Sequence, residues 1–254
     1  MNRLALLAAA TALALPCAQA AFSFNIVEDS SFTAAERAGI SYAKNFWESR
    51  IGGYDASINT TGLLHQTGLT IYASSSSAYA AGVTGYVYDL MVPVGGGLTV
   101  ADTAVLEIDS GSVDGMIAAG TFNNAMVRAF GHALGFGNYN TGLDQGIWNR
   151  NALTGSSTTY TGAYALAAYN AEFGATATSI TLAGTDPKGW SNANLSNDLL
   201  AASPTNLALA TLSATSLAAF RDLGYTVVPE PSAYGLAAAG ALGALALVRR
   251  RKRR

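Results

Sequence analysis

Apolar residues recur at every third or fourth position in four stretches of the chain, the spacing that places them on one face of a helix. This pattern predicts helices over 34–50, 121–134, 161–173 and 213–223. Thr33, three residues before Glu36, is an N-terminal capping signal for the first helix, and Gly52-Gly53 is expected to end it.

Shorter stretches alternate apolar and polar residues, as strands with one buried face do. Strands are predicted at 22–26 (a sheet edge), 56–59, 68–74, 98–109 and 178–182. The Ser- and Gly-rich stretch 74–97 is expected to be a loop lying over the sheet. Since no fixed-period repeat or long linker interrupts these elements, residues 21–228 are predicted to form one α+β domain.

The first twenty residues read as a secretory signal peptide. Arg3 precedes an apolar run over 4–15, and Ala18-Gln19-Ala20 provides a site for signal peptidase. Cys17, the only cysteine, lies inside this segment, so the mature protein is expected to have no thiol and no disulfide. Half of the whole chain is apolar, which is enough for a sizeable core in the rest.

The other end has three parts: Pro229-Glu230-Pro231, the uncharged run 232–248 and the basic cluster 249–254. This arrangement resembles the PEP-CTERM sorting signal of Gram-negative bacteria. The resemblance implies cleavage by an exosortase after transient insertion of the tail into the inner membrane. It also implies a final place at the cell surface or outside the cell, where exopolysaccharide or surface proteins would be partners. An ordinary C-terminal anchor would share the span and the basic end, but it has no need of Pro-Glu-Pro.

The charge of the remaining body excludes one class of function. Residues 21–228 contain seven Lys/Arg and fifteen Asp/Glu, a net charge of −8. Such an acidic body lacks the basic surface that nucleic acid requires. No nucleic-acid partner is therefore expected.

The second predicted helix contains a degenerate catalytic motif. In zinc proteases, H-E-x-x-H places two histidine ligands one helical turn apart and a glutamate base beside the first. Here the first histidine position is Arg128, the glutamate position is Ala129, and only His132 remains. Gly135 and Gly137 supply the helix stop.

Several pieces around this motif resemble a bacterial leishmanolysin-like zinc metalloprotease, in the expected order over most of 22–228. They are Phe46-Trp47-Glu48, the core 130–137, Tyr160-Thr161-Gly162-Ala163, Gly189-Trp190-Ser191 and the closing stretch 212–225. The resemblance implies a zincin-like α+β fold with a small mixed sheet and a central motif helix near 121–134. It also assigns the distal zinc ligand to Gly189 and the methionine-turn position to Leu200. With the neighbouring metzincin spacing, the third ligand would instead be Asn138.

These substitutions predict that the zinc chemistry is lost. Catalytic zinc needs about three protein ligands, and one imidazole does not provide them. The permanent charge of Arg128 would repel a metal one turn away, and Ala129 cannot act as a general base. We therefore expect no catalytic residue and no cofactor, with His132 as the only retained ligand position.

The other candidate groups are interpreted as structural. His65, the second histidine, is expected in a partly exposed turn before a strand. Glu107, Asp109 and Asp114 could bind calcium or act as a glycosidase pair, but they match neither pattern and are expected to be solvated acids.

Three functions stay open at this point. The first is a surface-sorted pseudoenzyme with a binding or structural role. The second is an active hydrolase with rewired ligands, using His132, His65 and some of the acids. The third is an adhesion or matrix protein with a β-sandwich, in which no helix would form at 121–134.

Overall fold

The computed structural model of the protein describes residues 21–58, 60–91, 100–137, 159–183 and 189–228, without the side chains of 87–91. The predicted signal peptide, Cys17, Asn138 and the sorting tail lie outside these residues. In chain order, the helices and strands are β1 Ser23–Glu28, α1 Ala34–Glu48, β2 Ile51–Tyr54, β3 Gly68–Ser75, β4 Val83–Met91, β5 Val100–Ile108, α2 Val113–Ala118, α3 Phe122–Ala133, β6 Thr159–Tyr160, α4 Ala163–Phe173, β7 Ile180–Thr181, α5 Ala214–Asp222 and β8 Tyr225–Val227.

The main sheet has four strands in the order β1-β3-β5-β4. Strands β1, β3 and β5 run parallel, and β4 pairs antiparallel with β5 at one edge. Two further pairs, β2-β8 and β6-β7, form separate two-stranded sheets. The α+β class and the small mixed sheet are therefore confirmed, as is the position of β1 at a sheet edge.

Helix α3 lies at the centre of the core and packs against β4, β5 and α1. It is buried over most of its length because its apolar stripe faces these three elements. The indole Nε1–H of Trp47 in α1 donates to the carbonyl of Val127 at 2.8 Å, which joins the two helices inside the core. The predicted central helix is thus confirmed, and the β-sandwich architecture of the third alternative is wrong for the described part of the chain.

Helix α1 begins as the sequence predicts. The Thr33 side chain accepts from the Glu36 backbone N–H, and the Glu36 carboxylate accepts from the Thr33 N–H at 2.7 Å, forming a capping box. The helix ends at Glu48, however, and Gly52-Gly53 is not a helix stop. Both glycines belong to β2, which pairs antiparallel with the distant β8.

Two further predictions about the strands were wrong. The stretch predicted as a strand at 56–59 is a turn over 56–58, because the carboxylate of Asp55 accepts from the Ser57 N–H at 2.9 Å. The stretch predicted as a loop over 74–97 contains β4, which pairs with β5 over most of its length.

The C-terminal third of the domain is built on α4 and α5, which pack against each other. The carboxylate of Asp222, at the end of α5, accepts from the backbone N–H groups of Tyr164 and Ala165 at the start of α4, each at 2.9 Å. Strand β8 follows α5 and places Tyr225 in the core, where its hydroxyl donates to the carbonyl of Leu134 at 3.0 Å. Within the described ranges, no helix has the length and apolar character to cross a membrane.

Candidate functional site

His132 is held in the core by the chain that follows its own helix. Gly135 and Gly137 have φ values of 102° and 79°, so the backbone reverses and brings the Phe136 carbonyl back to the imidazole. The His132 Nδ1–H donates to that carbonyl at 2.5 Å. This bond fixes the tautomer, because a carbonyl oxygen can only accept, and leaves the lone pair on Nε2.

The ionisation of His132 follows from its burial. The side chain is only 3% exposed, and burial, followed by the charge of Arg128, lowers its pKa from 6.5 to about 3. The ring is therefore neutral at physiological pH. Its Nε2 is buried and has no hydrogen-bond partner among the described residues.

Arg128, one turn before His132, is bound to a neighbouring segment. Its Nη1 donates to the carbonyls of Leu199 and Ala201 at 3.2 and 2.6 Å, and its Nη2 donates to that of Ala202 at 3.3 Å. Burial lowers the Arg128 pKa to about 10, so it remains charged at neutral pH. The first ligand position of the degenerate motif thus holds a cation that binds three backbone oxygens.

Gly189 approaches the same segment from another side. A Cβ atom added to Gly189 would lie 2.6 Å from both the Ala202 nitrogen and the Leu200 carbonyl oxygen, so only glycine fits there. Trp190 extends this contact, because its N–H donates to the Leu200 carbonyl at 3.0 Å. The structure therefore brings Arg128, Gly189 and Leu200 together through the segment 199–202.

Asp198 anchors the start of that segment. It is 5% exposed and accepts from the Leu200 N–H at 2.7 Å, the Ser213 N–H at 2.8 Å and the Ser216 hydroxyl at 2.7 Å. The Ser216 hydroxyl in turn accepts from the Trp190 indole N–H at 2.6 Å. Burial raises the pKa of Asp198, although these hydrogen bonds act in the opposite direction.

Asp198 was not among the residues predicted from the sequence. The available signal was an acid directly before Leu199-Leu200-Ala201, because aspartate commonly starts a turn by accepting from the backbone N–H two residues later. Its other partners, Ser213 and Ser216, could not be assigned from local sequence.

Ala129 faces the core at the glutamate position of the motif. It is 1% exposed, and its backbone is the closest neighbour of Gly85 in β4. A Cβ added to Gly85 would lie 2.0 Å from the Ala129 carbonyl oxygen. Ala129 therefore forms part of the packing between helix and sheet.

The remaining candidates lie apart from α3. His65 is half-buried in a turn before β3, as predicted, and its Nε2 is 3.0 Å from the Ser23 hydroxyl. The Glu107 carboxylate accepts from the Tyr86 hydroxyl at 3.1 Å, and the Asp109 carboxylate accepts from the Gly111 N–H at 3.0 Å. Asp109 is 8% exposed, so its predicted solvation was wrong, whereas Asp114 is exposed, as predicted, in the first turn of α2.

These donors do not fit a catalytic zinc ion. His132 offers one imidazole nitrogen, Arg128 and Gly189 offer none, and Ala129 cannot replace the missing base. In the part of the chain that the structure describes, no three His, Cys, Asp or Glu residues are grouped to hold a metal ion. We derive no hydrolytic step from this arrangement.

A surface groove of about 730 Å³ opens beside Asp198. The end of α4, the stretch 194–198 and one side of α5 form its walls. Arg221 and Val227 line it as well, so the groove extends to the strand from which the tail leaves the body.

Comparison with protein families identifies the tail. Residues 227–252 match the PEP-CTERM protein-sorting motif, so the assignment of Pro229-Glu230-Pro231 to a sorting signal is confirmed. The match begins at Val227, the last residue of β8. A comparison of the chain with curated proteins gives no match.

Proposed function

We propose that this protein is an exported pseudoenzyme: a zincin-like body without zinc chemistry, displayed at the cell surface or in the exopolysaccharide matrix. The sorting motif indicates a secreted surface protein that an exosortase processes through a membrane-anchored intermediate. The finer part of the proposal, an inactive protease-like body with a binding or structural role, rests on the residues around α3.

One observation supports the proposal that the body is inactive: the Arg128 guanidinium binds the carbonyls of residues 199, 201 and 202. A metal ligand at this position would have to give up those bonds, which stabilise the fold. Gly189 supports the same conclusion, because a histidine there would place its Cβ against the backbone of 200–202. Two of the three positions that the resemblance assigns to zinc, Arg128 and Gly189, are thus occupied by contacts with the segment 199–202.

Metal analysis of the purified full chain, combined with a casein-cleavage assay, tests this part. We expect less than one zinc per ten chains after incubation with zinc and desalting, and no cleavage above that of a His132→Ala variant. Stoichiometric zinc and cleavage, both lost in His132→Ala, would instead support the hydrolase with rewired ligands.

The sorting part has a separate test. Replacing Pro229, Glu230 and Pro231 by alanine should leave the chain uncleaved and membrane-bound in a host that contains an exosortase. The wild-type chain should be cleaved there, and it should stay uncleaved in a host that lacks the enzyme. Equal cleavage in both hosts would contradict exosortase processing, and cleavage in neither would favour an ordinary anchor.

A further inference from the structure

One face of the four-stranded sheet points away from the core. Successive side chains of a strand point to opposite faces of its sheet. Leu69 and Ile71 of β3 are fully buried on the core side, so Tyr72 lies on the opposite, outer face. Tyr72 is 46% exposed, and Val27 beside it in β1 is 43% exposed. The outer face is therefore open to solvent at these two positions.

The strand register joins these side chains into a row. Val27 pairs with Tyr72. Tyr72 in turn pairs with Val105 of β5, which pairs with Tyr86 of β4. The row thus crosses all four strands with apolar and aromatic side chains. Since neighbouring strands lie about 4.8 Å apart, Tyr72 and Tyr86 are separated by roughly 10 Å.

A polar row runs beside the first one. Ser74 of β3 and Thr84 of β4 each pair with Glu107 of β5. The Ser74 hydroxyl lies 2.7 Å from the Tyr79 hydroxyl. The Glu107 carboxylate accepts from the Tyr86 hydroxyl at 3.1 Å. The outer face therefore combines aromatic rings with hydroxyl and carboxylate groups.

The charge of this face restricts its partner. The two rows contain one charged residue, Glu107, and no cation. Nucleic acid and anionic lipid headgroups both require cations. A body with a net charge of −8 also repels other polyanions. The charge therefore favours an uncharged partner.

The size of the face restricts the partner further. Four strands and two rows of side chains span roughly 20 Å by 10 Å, an area of about 200 Å². A stable protein interface needs about 800 Å² on each partner. The two rows are therefore too small to hold a second copy of the chain by themselves, and a thin, extended partner that crosses the strands fits them better.

We propose that the outer face binds one extended chain of neutral sugars. A sugar ring presents C–H groups that stack on the electron-rich face of an aromatic ring, and its hydroxyls can bind polar neighbours. The separation of roughly 10 Å between Tyr72 and Tyr86 allows the two tyrosines to contact different sugars of the same chain. Ser74 and Glu107 lie where they can bind the sugar hydroxyls.

This inference gives the binding role in the proposed function a partner. It rests on the display of the body outside the cell that the proposed function contains. It does not depend on the loss of the zinc site, because none of its residues belongs to α3 or to the segment 199–202.

The test measures binding of the full chain, kept soluble in detergent, to three insoluble polysaccharides. Cellulose and chitin are neutral, extended chains, and calcium alginate is an acidic one. The protein left in the supernatant after centrifugation gives the affinity for each. Tyr72→Ala and Tyr72→Trp probe the face. Tyr42→Ala in α1 is the matched control, since Tyr42 is also 46% exposed but lies outside the sheet.

We expect the wild-type chain to bind cellulose or chitin and not alginate. Tyr72→Ala should bind the neutral chain about tenfold more weakly, because it loses one aromatic contact and its buried area. Tyr42→Ala should bind as the wild type does. Tyr72→Trp should bind about threefold more tightly through its larger ring, a gain that misfolding cannot produce.

Four results would overturn the inference. They are no binding of the wild type to either neutral polysaccharide, tighter binding to alginate, equal affinities of the two alanine variants, and a dimer of the wild type that Tyr72→Ala dissociates. The last result would identify a second copy as the partner.

The outcome can be separated from that of the proposed function. A chain that is cleaved by exosortase but binds neither neutral polysaccharide contradicts the sugar site alone. A chain that binds sugar through Tyr72 but is not processed by exosortase contradicts the display at the cell surface alone.

Discussion

The Arg128 guanidinium binds three carbonyl oxygens of one segment, so its role in this structure is to hold that segment. It connects α3 to the stretch that Asp198 anchors from the other side. A charged donor that serves several buried acceptors is difficult to replace, because each carbonyl left without a partner costs about 1–3 kcal/mol.

Replacing Arg128 by methionine should therefore destabilise the protein. We expect the free energy of unfolding to fall by roughly 3 kcal/mol, although methionine keeps much of the side-chain volume. Urea titration followed by circular dichroism measures this loss. Arg221→Met is the control, since removing an exposed arginine from an aromatic ring should cost less than about 1 kcal/mol; equal midpoints for the two variants would contradict the role of Arg128.

The lowered pKa of His132 predicts how the stability of the protein depends on pH. Its folded pKa of about 3 lies below the ordinary value of 6.5, so between these values the unfolded chain binds a proton that the folded chain does not. Stability should therefore decrease as the pH falls below 6.5, by up to about 1.4 kcal/mol per pH unit from this group.

His132→Asn should remove this contribution, because the asparagine amide can still donate to the Phe136 carbonyl but does not titrate. Unfolding midpoints of the two proteins between pH 7 and pH 4.5 provide the measurement. Asp198, with its raised pKa, acts in the opposite sense in both proteins and cancels in the comparison. If the unfolding midpoints of the two proteins fall in parallel as the pH is lowered, the result would contradict a neutral, buried His132.

At the scale of elements, the contact between β4 and α3 depends on a glycine. Gly85 brings the strand so close to the helix that a Cβ would meet the Ala129 carbonyl at 2.0 Å. Because the obstacle is backbone, a change of rotamer cannot relieve it. This contact holds the edge strand of the sheet against the central helix.

Gly85→Ala should consequently lower the free energy of unfolding by about 3 kcal/mol or more, because the added methyl group overpacks against backbone. Gly115→Ala in α2 is the matched control, because nothing lies within 4 Å of its added Cβ and alanine favours a helix by about 0.5–1 kcal/mol. Thermal unfolding of the two variants should shift in opposite directions. A neutral Gly85→Ala would mean that strand and helix separate easily.

The elements that the sequence predicted are those with local signals. Helix α1 has its capping box at Thr33 and Glu36, and α3 and α5 have periodic apolar faces followed by glycine. Strands β2 and β8 lack such signals, since they exist only as a pair across more than 170 residues. Strand β4 was not predicted because its stretch is rich in Ser and Gly. One of these glycines, Gly85, is needed for the contact with Ala129, which lies far away in the sequence.

The same distinction applies to the candidate site. The positions of Arg128, Ala129, His132 and Gly189 could be read from a motif and its order. Their present roles could not, because they depend on the carbonyls of 199–202 and on Gly85, which approach from elsewhere in the chain. For Asp198, the turn to Leu200 had a local signal, but the bonds to Ser213 and Ser216 did not.

At the scale of the whole molecule, β8 closes the domain. Tyr225 stacks on Tyr54 with ring centres 5.4 Å apart and lies edge-on to Phe22 at 5.8 Å. Val228 adds the last backbone hydrogen bond of the described chain, to Arg50. The folded body and the sorting motif are therefore directly adjacent.

Two truncations test this boundary. A chain that stops after Val228 should unfold at the same temperature as the processed protein, because every described contact of β8 remains. A chain that stops after Gly224 loses Tyr225 and should lose at least 3–5 kcal/mol of stability, the range of about one large aromatic removed from a core. Similar melting of the two truncations, measured by calorimetry, would contradict the closing role of β8.

This boundary also determines how the protein responds to tension. If the body is held by a matrix while the tail is still in the membrane, the load acts first on the Val228–Arg50 hydrogen bond and then on the short β2–β8 ladder. The four-stranded sheet shares no strand with that ladder and is joined to it by side-chain contacts, such as the Tyr54 hydroxyl that donates to the Gly68 carbonyl, so its own strand pairs stay intact in this first step. The buried ring of Tyr225 is the next point of resistance. An optical-trap experiment should thus show β8 detaching as a small first extension, with the central core still folded.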